Sequence, residues 1–205
     1  MNYSIQYQRT PHPYMTVSPR KKRIKNTLLM VHSGTVLIKV GKSEYALKAN
    51  DLFWLPIGSL TSITYFPHAE TSNIDFSVRL KETFPSKAGY ITPSALTQAC
   101  IDKLYHQDIG EQYRLDLLQI LKHECQIIAP SLFVSKTSAQ FNQWTVDSNQ
   151  GLSQELHMAL TIRYARKQLL SGGSRQQVVD TLFSGSHSVF DQIWQSVMGQ
   201  ENSSK

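Results

Sequence analysis

Residues 160–199 read LTIRYARKQLLSGGSRQQVVDTLFSGSHSVFDQIWQSVMG, and this stretch decides the C-terminal half of the fold. Its apolar residues recur every three or four positions, which predicts amphipathic helices. The pair Gly172-Gly173 ends the first helix, Ser174 caps the second, and the turn Ser184-Gly185-Ser186 precedes the third. The predicted apolar faces comprise Leu160, Tyr164 or Ala165, Leu169, Val178, Val179, Leu182, Val189, Phe190, Ile193, Trp194 and Val197.

Two short helices joined by a tight turn that contains glycine form the helix-turn-helix layout, whose second helix enters the major groove of DNA. Residues 174–199 therefore predict such a unit. Glutamine side chains recognise adenine and serine hydroxyls contact several bases, so the polar face of the last helix is a candidate reading surface. Its candidate DNA-binding residues are Ser186, His187, Ser188, Gln192 and Gln195, beside an Asp191 that would repel phosphates.

The N-terminal half has a different apolar period. From Thr27 to Leu80 apolar and polar residues alternate, which predicts strands with one face in a core. Gly41-Lys42 joins two such strands as a two-residue hairpin turn with glycine first. The apolar run 52–55, stopped by Pro56, predicts a short strand covered on both faces. Short strands separated by frequent turn signals predict a small antiparallel barrel or sandwich, so the fold class is α+β.

The period changes to that of helices near residues 82–93. Thr92-Pro93 predicts an N-cap and a first helical residue, and Leu96, Cys100 and Leu104 then share a face. A second helix over about 111–123 carries an apolar face of Leu117, Leu118 and Leu121. These helices either cover the barrel or pair with a second copy of the chain; we favour pairing and expect a homodimer.

Charge is distributed unevenly between the two halves. Residues 1–92 contain 12 of the 21 Lys and Arg residues and five of the 15 acidic residues, a net charge of +7, whereas nine basic and ten acidic residues leave the rest at −1. Much of the excess lies in the run Arg20, Lys21, Lys22, Arg23 and Lys25, which is either a solvated face or a phosphate or partner contact. The C-terminal half thus lacks the basic footprint that DNA binding normally requires.

The motifs together resemble those of AraC-type transcription regulators. The C-terminal signature of that family is matched by Ala165, Leu169, Ser174, Val178, Val179, Ser188, Phe190, Trp194 and Gly199. Ala129, Leu132, Val134 and Ser135 resemble the core of the family's first helix-turn-helix, and the hairpin followed by DLFWLP (51–56) resembles its cupin-type barrel. The resemblance implies a cupin-like β regulatory domain over 1–90, a helical linker over 91–123 that contains possible dimerisation helices, and a helix-turn-helix DNA-binding domain over 124–200.

The resemblance also implies double-stranded DNA as the partner and adds candidates to the DNA-binding set. In the first unit these are Lys136, Thr137, Ser138, Gln140 and Asn142, and around the linker helix they are Arg163, Arg166 and Lys167. Two departures from the family pattern stand out. Pro130 lies where a helix is expected, and Phe183-Ser184-Gly185 moves the glycine of the second turn. Both units are therefore expected to be reshaped.

A barrel of this type can receive a small-molecule effector or act through a regulatory protein. The candidate effector pocket is lined by Tyr45, Phe53, Trp54 and Phe76, but we favour an ordinary packed core built from the same kind of side chains. No His-x-His set, nucleophile elbow or phosphate-binding loop occurs, so we expect no enzyme activity, catalytic residue, metal or cofactor. No apolar run is long enough to cross a membrane and no secretory signal is visible, which predicts a cytoplasmic protein. The resemblance implies that it is bacterial.

Two functions remain open at this point. The first is a sequence-specific DNA-binding regulator of the AraC type, controlled through its barrel. The alternative is a degenerate relative that does not bind DNA and acts through a protein partner. A positive face on the folded C-terminal half would distinguish them.

Overall fold

The computed structural model describes residues 4–106 and 108–200. In this part of the chain ten strands precede six helices, so the α+β class is confirmed. The strands are β1 (Ile5–His12), β2 (Thr16–Val17), β3 (Lys21–Lys22), β4 (Asn26–Ser33), β5 (Val36–Val40), β6 (Ser43–Leu47), β7 (Leu52–Leu55), β8 (Leu60–Tyr65), β9 (Ala69–Phe76) and β10 (Gly89–Ile91). The helices are α1 (Ala95–His106), α2 (Glu111–Gln126), α3 (Lys136–Gln143), α4 (Gln154–Leu170), α5 (Arg175–Phe183) and α6 (His187–Met198).

The strands form two antiparallel sheets. The first has the order β1-β9-β4-β7-β10, and the second has the order β2-β8-β5-β6 with β3 also paired to β8. Alternate residues of both sheets point inwards and form an apolar core. This core contains Leu29, Val31, Val36, Ile38, Tyr45, Leu47, Phe53, Leu55, Ile63 and Ala69.

The predicted hairpin is present as β5 and β6. Val40 pairs with Ser43, so Gly41 and Lys42 form the two-residue connection. Gly41 has a φ of +63°, whereas the φ of Lys42 is negative. A turn with positive φ only at its first central residue is the type II′ turn, which glycine adopts without a steric cost.

The predicted strand with two covered faces is β7. Its neighbours in the first sheet are β4 and β10. Phe53 and Leu55 point into the core between the sheets, whereas Leu52 and Trp54 point to the outer face of the first sheet. That outer face is covered by α1 and α2, whose Cys100, Ile101, Leu104, Leu117, Leu118, Leu121 and Cys125 pack on it. The apolar faces of these two helices are thus buried within the chain.

The start of α1 differs from the expectation. The Ser94 hydroxyl accepts the Thr97 N–H at 3.0 Å, so Ser94 rather than Thr92 caps the helix. The residues before it form β10, which crosses the boundary expected at residue 90, and α2 crosses the boundary expected at residue 123. Leu96 is exposed, because the buried face of α1 consists of Thr97, Cys100, Ile101 and Leu104. The expected N-terminal domain also includes residues 1–3, which lie outside the described residues.

The first helix of the predicted first helix-turn-helix does not form. The chain is irregular from 127 to 135, and Ser131 makes a β-bridge to Tyr90 of β10. Pro130 explains this, since proline lacks an N–H donor and disfavours helical backbone in the residue before it. A Cβ on Gly89 would lie 2.5 Å from the Ser131 carbonyl carbon, so the close approach requires glycine. The double helix-turn-helix expected over 124–200 is therefore wrong in its first unit.

No helix in the described ranges is long and apolar enough to cross a membrane.

Candidate nucleic-acid interface

The second helix-turn-helix unit is present and consists of α5, a turn and α6. Ser174 and Gln177 form a reciprocal capping box at the start of α5. Ser184 adopts the left-handed conformation and Gly185 follows with a φ of +79°. The Gly185 N–H donates to the Val179 carbonyl at 3.1 Å, which closes the turn. The altered position of glycine is thus accommodated by a left-handed serine.

Aromatic side chains hold α6 against α5. The ring centroids of Phe183 and Phe190 are 5.2 Å apart, and those of Phe190 and Trp194 are 5.4 Å apart. The core below them also contains Leu160, Ile162, Ala165, Val178, Val179, Val197 and Met198. Helices α4, α5 and α6 therefore form one packed unit that fixes the direction of α6.

The opposite face of α6 is polar and open. His187, Ser188, Gln192 and Gln195 are exposed, as the helical spacing predicted. Ser186 differs, because its hydroxyl accepts the Val189 N–H as the N-cap of α6. Val189 was expected on the buried face but is 44% exposed, so one apolar side chain lies among the candidate reading residues.

The acidic residue on this face is neutralised. Asp191 forms an ion pair with Arg175 at the start of α5. The Arg175 guanidinium also lies 5.2 Å from the centre of the Phe190 ring. The repulsion of phosphates expected from Asp191 is thereby reduced, but Arg175 is no longer a free cation.

Helix α3, the candidate recognition helix of the first unit, lies on the edge of the barrel. Strand β6 is the edge of the second sheet. The Ala46 N–H donates to the Ser138 hydroxyl at 3.0 Å, and the Glu44 N–H donates to the Asn142 amide oxygen at 2.9 Å. The Asn142 amide nitrogen donates to the Glu44 carbonyl at 2.7 Å. Side chains of α3 thus replace the missing neighbouring strand.

Several first-unit candidates are therefore misplaced for reading DNA. Ser138 is fully buried, so the expectation that it contacts bases is wrong. Gln140 is half-buried and donates its amide to the Gln150 carbonyl at 2.9 Å. Lys136 and Thr137 remain exposed. The sequence did not indicate this arrangement, because edge-strand contacts leave no local pattern.

The linker-helix residue Arg163 also has another role. Its guanidinium makes two hydrogen bonds to the Glu44 carboxylate, at 3.0 and 2.9 Å, and one to the Thr64 hydroxyl at 3.3 Å. Arg163 therefore joins the helices to the second sheet, and its guanidinium is bound by Glu44 rather than free for the expected phosphate contact. Arg166 is half-buried and Lys167 is exposed.

A third contact between the halves lies at the end of α6. The Met15 N–H donates to the Val197 carbonyl at 2.7 Å, and Met15 is buried among the helices. Gly199, with a φ of +74°, packs so closely that a Cβ would lie 2.7 Å from the Tyr14 ring. Tyr14, Met15, Gly199 and Arg166 border a groove of about 760 Å³. The segment after β1 thus holds the last turn of α6.

The four candidate effector-pocket residues do not line one cavity. Tyr45 and Phe53 belong to the core between the sheets, whereas Trp54 and Phe76 belong to the core beneath α1 and α2. Phe53 and Trp54 are neighbours on one strand, so their side chains point to opposite faces. The four side chains therefore lie in two packed cores, and an effector pocket among them stays a prediction.

Comparisons with known proteins give structural matches only. No family model matches this chain, and neither does any curated protein. An apo variant of ToxT from Vibrio cholerae matches with a TM-score of 0.45 and 13% identity over 96% of this chain and 94% of that one. ToxT with a bound unsaturated fatty acid matches with a TM-score of 0.43 and 12% identity over 96% of this chain and 92% of that one. A cupin superfamily protein from Desulfitobacterium hafniense matches with a TM-score of 0.35 and 13% identity over 38% of this chain and 71% of that one.

The described residues form antiparallel sheets followed by helices, the last two of which form a helix-turn-helix.

Proposed function

We propose that this chain is a sequence-specific DNA-binding transcription regulator of the AraC type, which reads its site through α6. The observation that carries the proposal is the exposed face of His187, Ser188, Gln192 and Gln195 on a helix whose opposite face is packed against α4 and α5. A rigid helix with an exposed row of hydrogen-bonding side chains suits the major groove, where base edges present distinct donor and acceptor patterns.

The proposal assigns one reading helix to each chain. Helix α3 is held on β6 by Ser138 and Asn142, and no helix forms over 127–135 to complete the first unit. Regulators with one such unit gain affinity by pairing, with half-sites centred about 10 base pairs apart or at multiples of that spacing. A homodimer that binds two half-sites follows from this assignment.

The test is selection of binding sequences from a random duplex pool, followed by affinity measurements on the selected duplex. We expect Gln192→Ala and Gln195→Ala each to weaken binding by about 1–3 kcal/mol and to relax the preference at one base position. Gln119→Ala removes an equally exposed glutamine from α2 and should leave binding unchanged. Failure of the folded wild-type protein to enrich any sequence would contradict the proposal.

The second candidate function is binding of a regulatory protein through the same face. It is favoured by the composition of α6, which contains no Lys or Arg, and by the exposed Val189. Apolar side chains surrounded by polar ones are typical of protein interfaces. Val189→Lys distinguishes the two functions, because an added cation should strengthen binding to DNA and disrupt an apolar protein contact.

A further inference from the structure

Four basic side chains come together beside the β5–β6 hairpin, and we name them the basic hairpin surface: Arg20, Lys21, Lys22 and Lys42. All four residues are exposed. The Arg20 guanidinium donates to the Gly41 carbonyl at 2.9 Å, which brings the start of the basic run to the hairpin turn. Strand β3 then places Lys22 opposite Leu60 on the edge of the second sheet.

The other two residues of the basic run make contacts within the fold. Lys25 forms an ion pair with Asp75, and Arg23 donates to the Thr27 hydroxyl. In contrast, no member of the basic hairpin surface forms an ion pair within residues 4–106 and 108–200. The run therefore divides into two residues bound within the fold and three cations without an ion pair, to which Lys42 of the hairpin adds a fourth.

The basic hairpin surface adjoins the helical half of the protein. Glu44, two residues after Lys42, is contacted by Asn142 of α3 and by Arg163 of α4. Glu44 is also the residue opposite Lys39 in the β5–β6 pairing. Since the Glu44 carboxylate is bound by Arg163, it does not neutralise the neighbouring lysines.

The helical half carries a net charge of −1, and three of its cations are bound in ion pairs. Arg163 and Arg175 are paired with Glu44 and Asp191, and Lys122 is paired with Glu82. Binding to DNA depends on neutralising several phosphates with Lys and Arg, so cations of the β half add to the charge that the exposed Lys136 and Lys167 supply.

We infer that the basic hairpin surface binds the phosphate backbone of duplex DNA alongside the bases that α6 reads. The inference rests on the proposed function and adds a second contact to it. Phosphate contacts carry no sequence information, so this surface sets affinity and salt dependence, while α6 sets specificity.

The test compares the wild-type protein with K21Q/K22Q and with the control K81Q/K87Q. The control removes the same charge from exposed lysines in the connection between β9 and β10. Affinities for the selected duplex and for a scrambled duplex are measured between about 50 and 200 mM salt. For K21Q/K22Q we expect the slope of log affinity against log salt to become shallower by about 2 and both affinities to fall by the same factor, about tenfold or more.

The control should retain the wild-type slope. An unchanged slope in K21Q/K22Q, with selective binding retained, would overturn the inference and leave the proposed function standing. Binding to anionic lipid vesicles is measured in parallel. If K21Q/K22Q loses binding to the vesicles while the salt dependence of its DNA affinity is unchanged, the inference is overturned and the surface is assigned to lipid headgroups. If the wild-type protein binds neither duplex, the proposed function fails and the inference fails with it.

Discussion

Arg163 of α4 and Glu44 of β6 form a two-pronged ion pair between residues 119 positions apart in the sequence. Both side chains are largely buried, with 23% and 17% of their surface exposed. The pair connects the helix that leads into the helix-turn-helix with the edge of the barrel. Together with the α3–β6 and Met15–Val197 contacts, it holds α6 in a fixed position relative to the barrel.

Removing one member of this pair should destabilise the protein. Arg163→Ala leaves the Glu44 carboxylate without its main partner, and we expect a loss of about 1–3 kcal/mol in urea unfolding. E44A/R163A should cost less than the sum of the single variants because it removes both charges. Lys167→Ala, an exposed change on the same helix, should stay within about 0.5 kcal/mol of wild type. Additive losses in the double variant would show that the pair is not coupled.

Ser138 is expected to protect the edge of the barrel. Ser138→Ala leaves the buried Ala46 N–H without an acceptor, which should cost about 1–3 kcal/mol. Hydrogen exchange at the Ala46 amide should accelerate, because its protection depends on this bond. The neighbouring Thr137→Ala changes an exposed hydroxyl and serves as the control. Equal exchange at Ala46 in both variants would contradict the docking of α3 on β6.

Gly89→Ala should separate β10 from the segment that contains Ser131. The added Cβ would lie 2.5 Å from the Ser131 backbone, so one of the two strands has to move. We expect destabilisation of about 1–3 kcal/mol, visible as a lower Tm. Gly110→Ala is the matched control, because nothing lies within 4 Å of its Cβ position. A Tm for Gly89→Ala equal to that of the control would show that this bridge is absent in solution.

The stability of the fold should decrease in mild acid. Burial lowers the pKa of His12, whose ring stacks on Tyr65 at 4.0 Å, and burial likewise lowers the pKa of His32, whose ring stacks on Tyr105 at 3.7 Å. The unfolded chain therefore binds protons more readily, so stability is lost as the pH falls below about 6.5 towards the folded pKa values. H12N/H32N should flatten this dependence in thermal melts, whereas the exposed His68→Asn should not. An identical pH profile in H12N/H32N would contradict this assignment.

The cysteines should be unreactive in the folded state. Burial raises the pKa of Cys125 to about 12 and also raises the pKa of Cys100. Only the thiolate reacts, and it is scarce at neutral pH when the pKa is this high. A thiol reagent should therefore label neither cysteine before unfolding and both afterwards. Rapid labelling of the native protein would show that α1 and α2 are not packed on the first sheet.

The sequence predicted those strands and helices in which apolar residues recur at regular spacing over the whole element. The β5–β6 hairpin, β7 and helices α4 to α6 were found from spacing, glycine turns and capping residues. The alternation continues through Val78 and Leu80, yet β9 ends at Phe76 and Val78 is exposed, because the chain leaves the sheet there. Strand β1 was missed because it is an edge strand with polar residues on much of its length.

The sequence predicted only the part of the candidate site that lies on a single helix face, which is the exposed face of α6. Exposure of Gln192 and Gln195 follows from helical period alone. The roles of Ser138 and Arg163 depend on partners in β6 that lie about a hundred residues away in the sequence. The spacing of residues within one element does not predict such contacts. Pro130 indicated that the first unit is disturbed, but the loss of its first helix also depends on the Gly89–Ser131 approach.

Reading of bases by α6 is tested most directly by a change of specificity. Gln192→Arg replaces a side chain suited to adenine with one suited to guanine, and its position on the exposed face should leave the fold intact. Selection from a random duplex pool should then give the wild-type sequence with adenine changed to guanine at one position in each half-site. An unchanged selected sequence, or the absence of any selected sequence from either protein, would contradict the account.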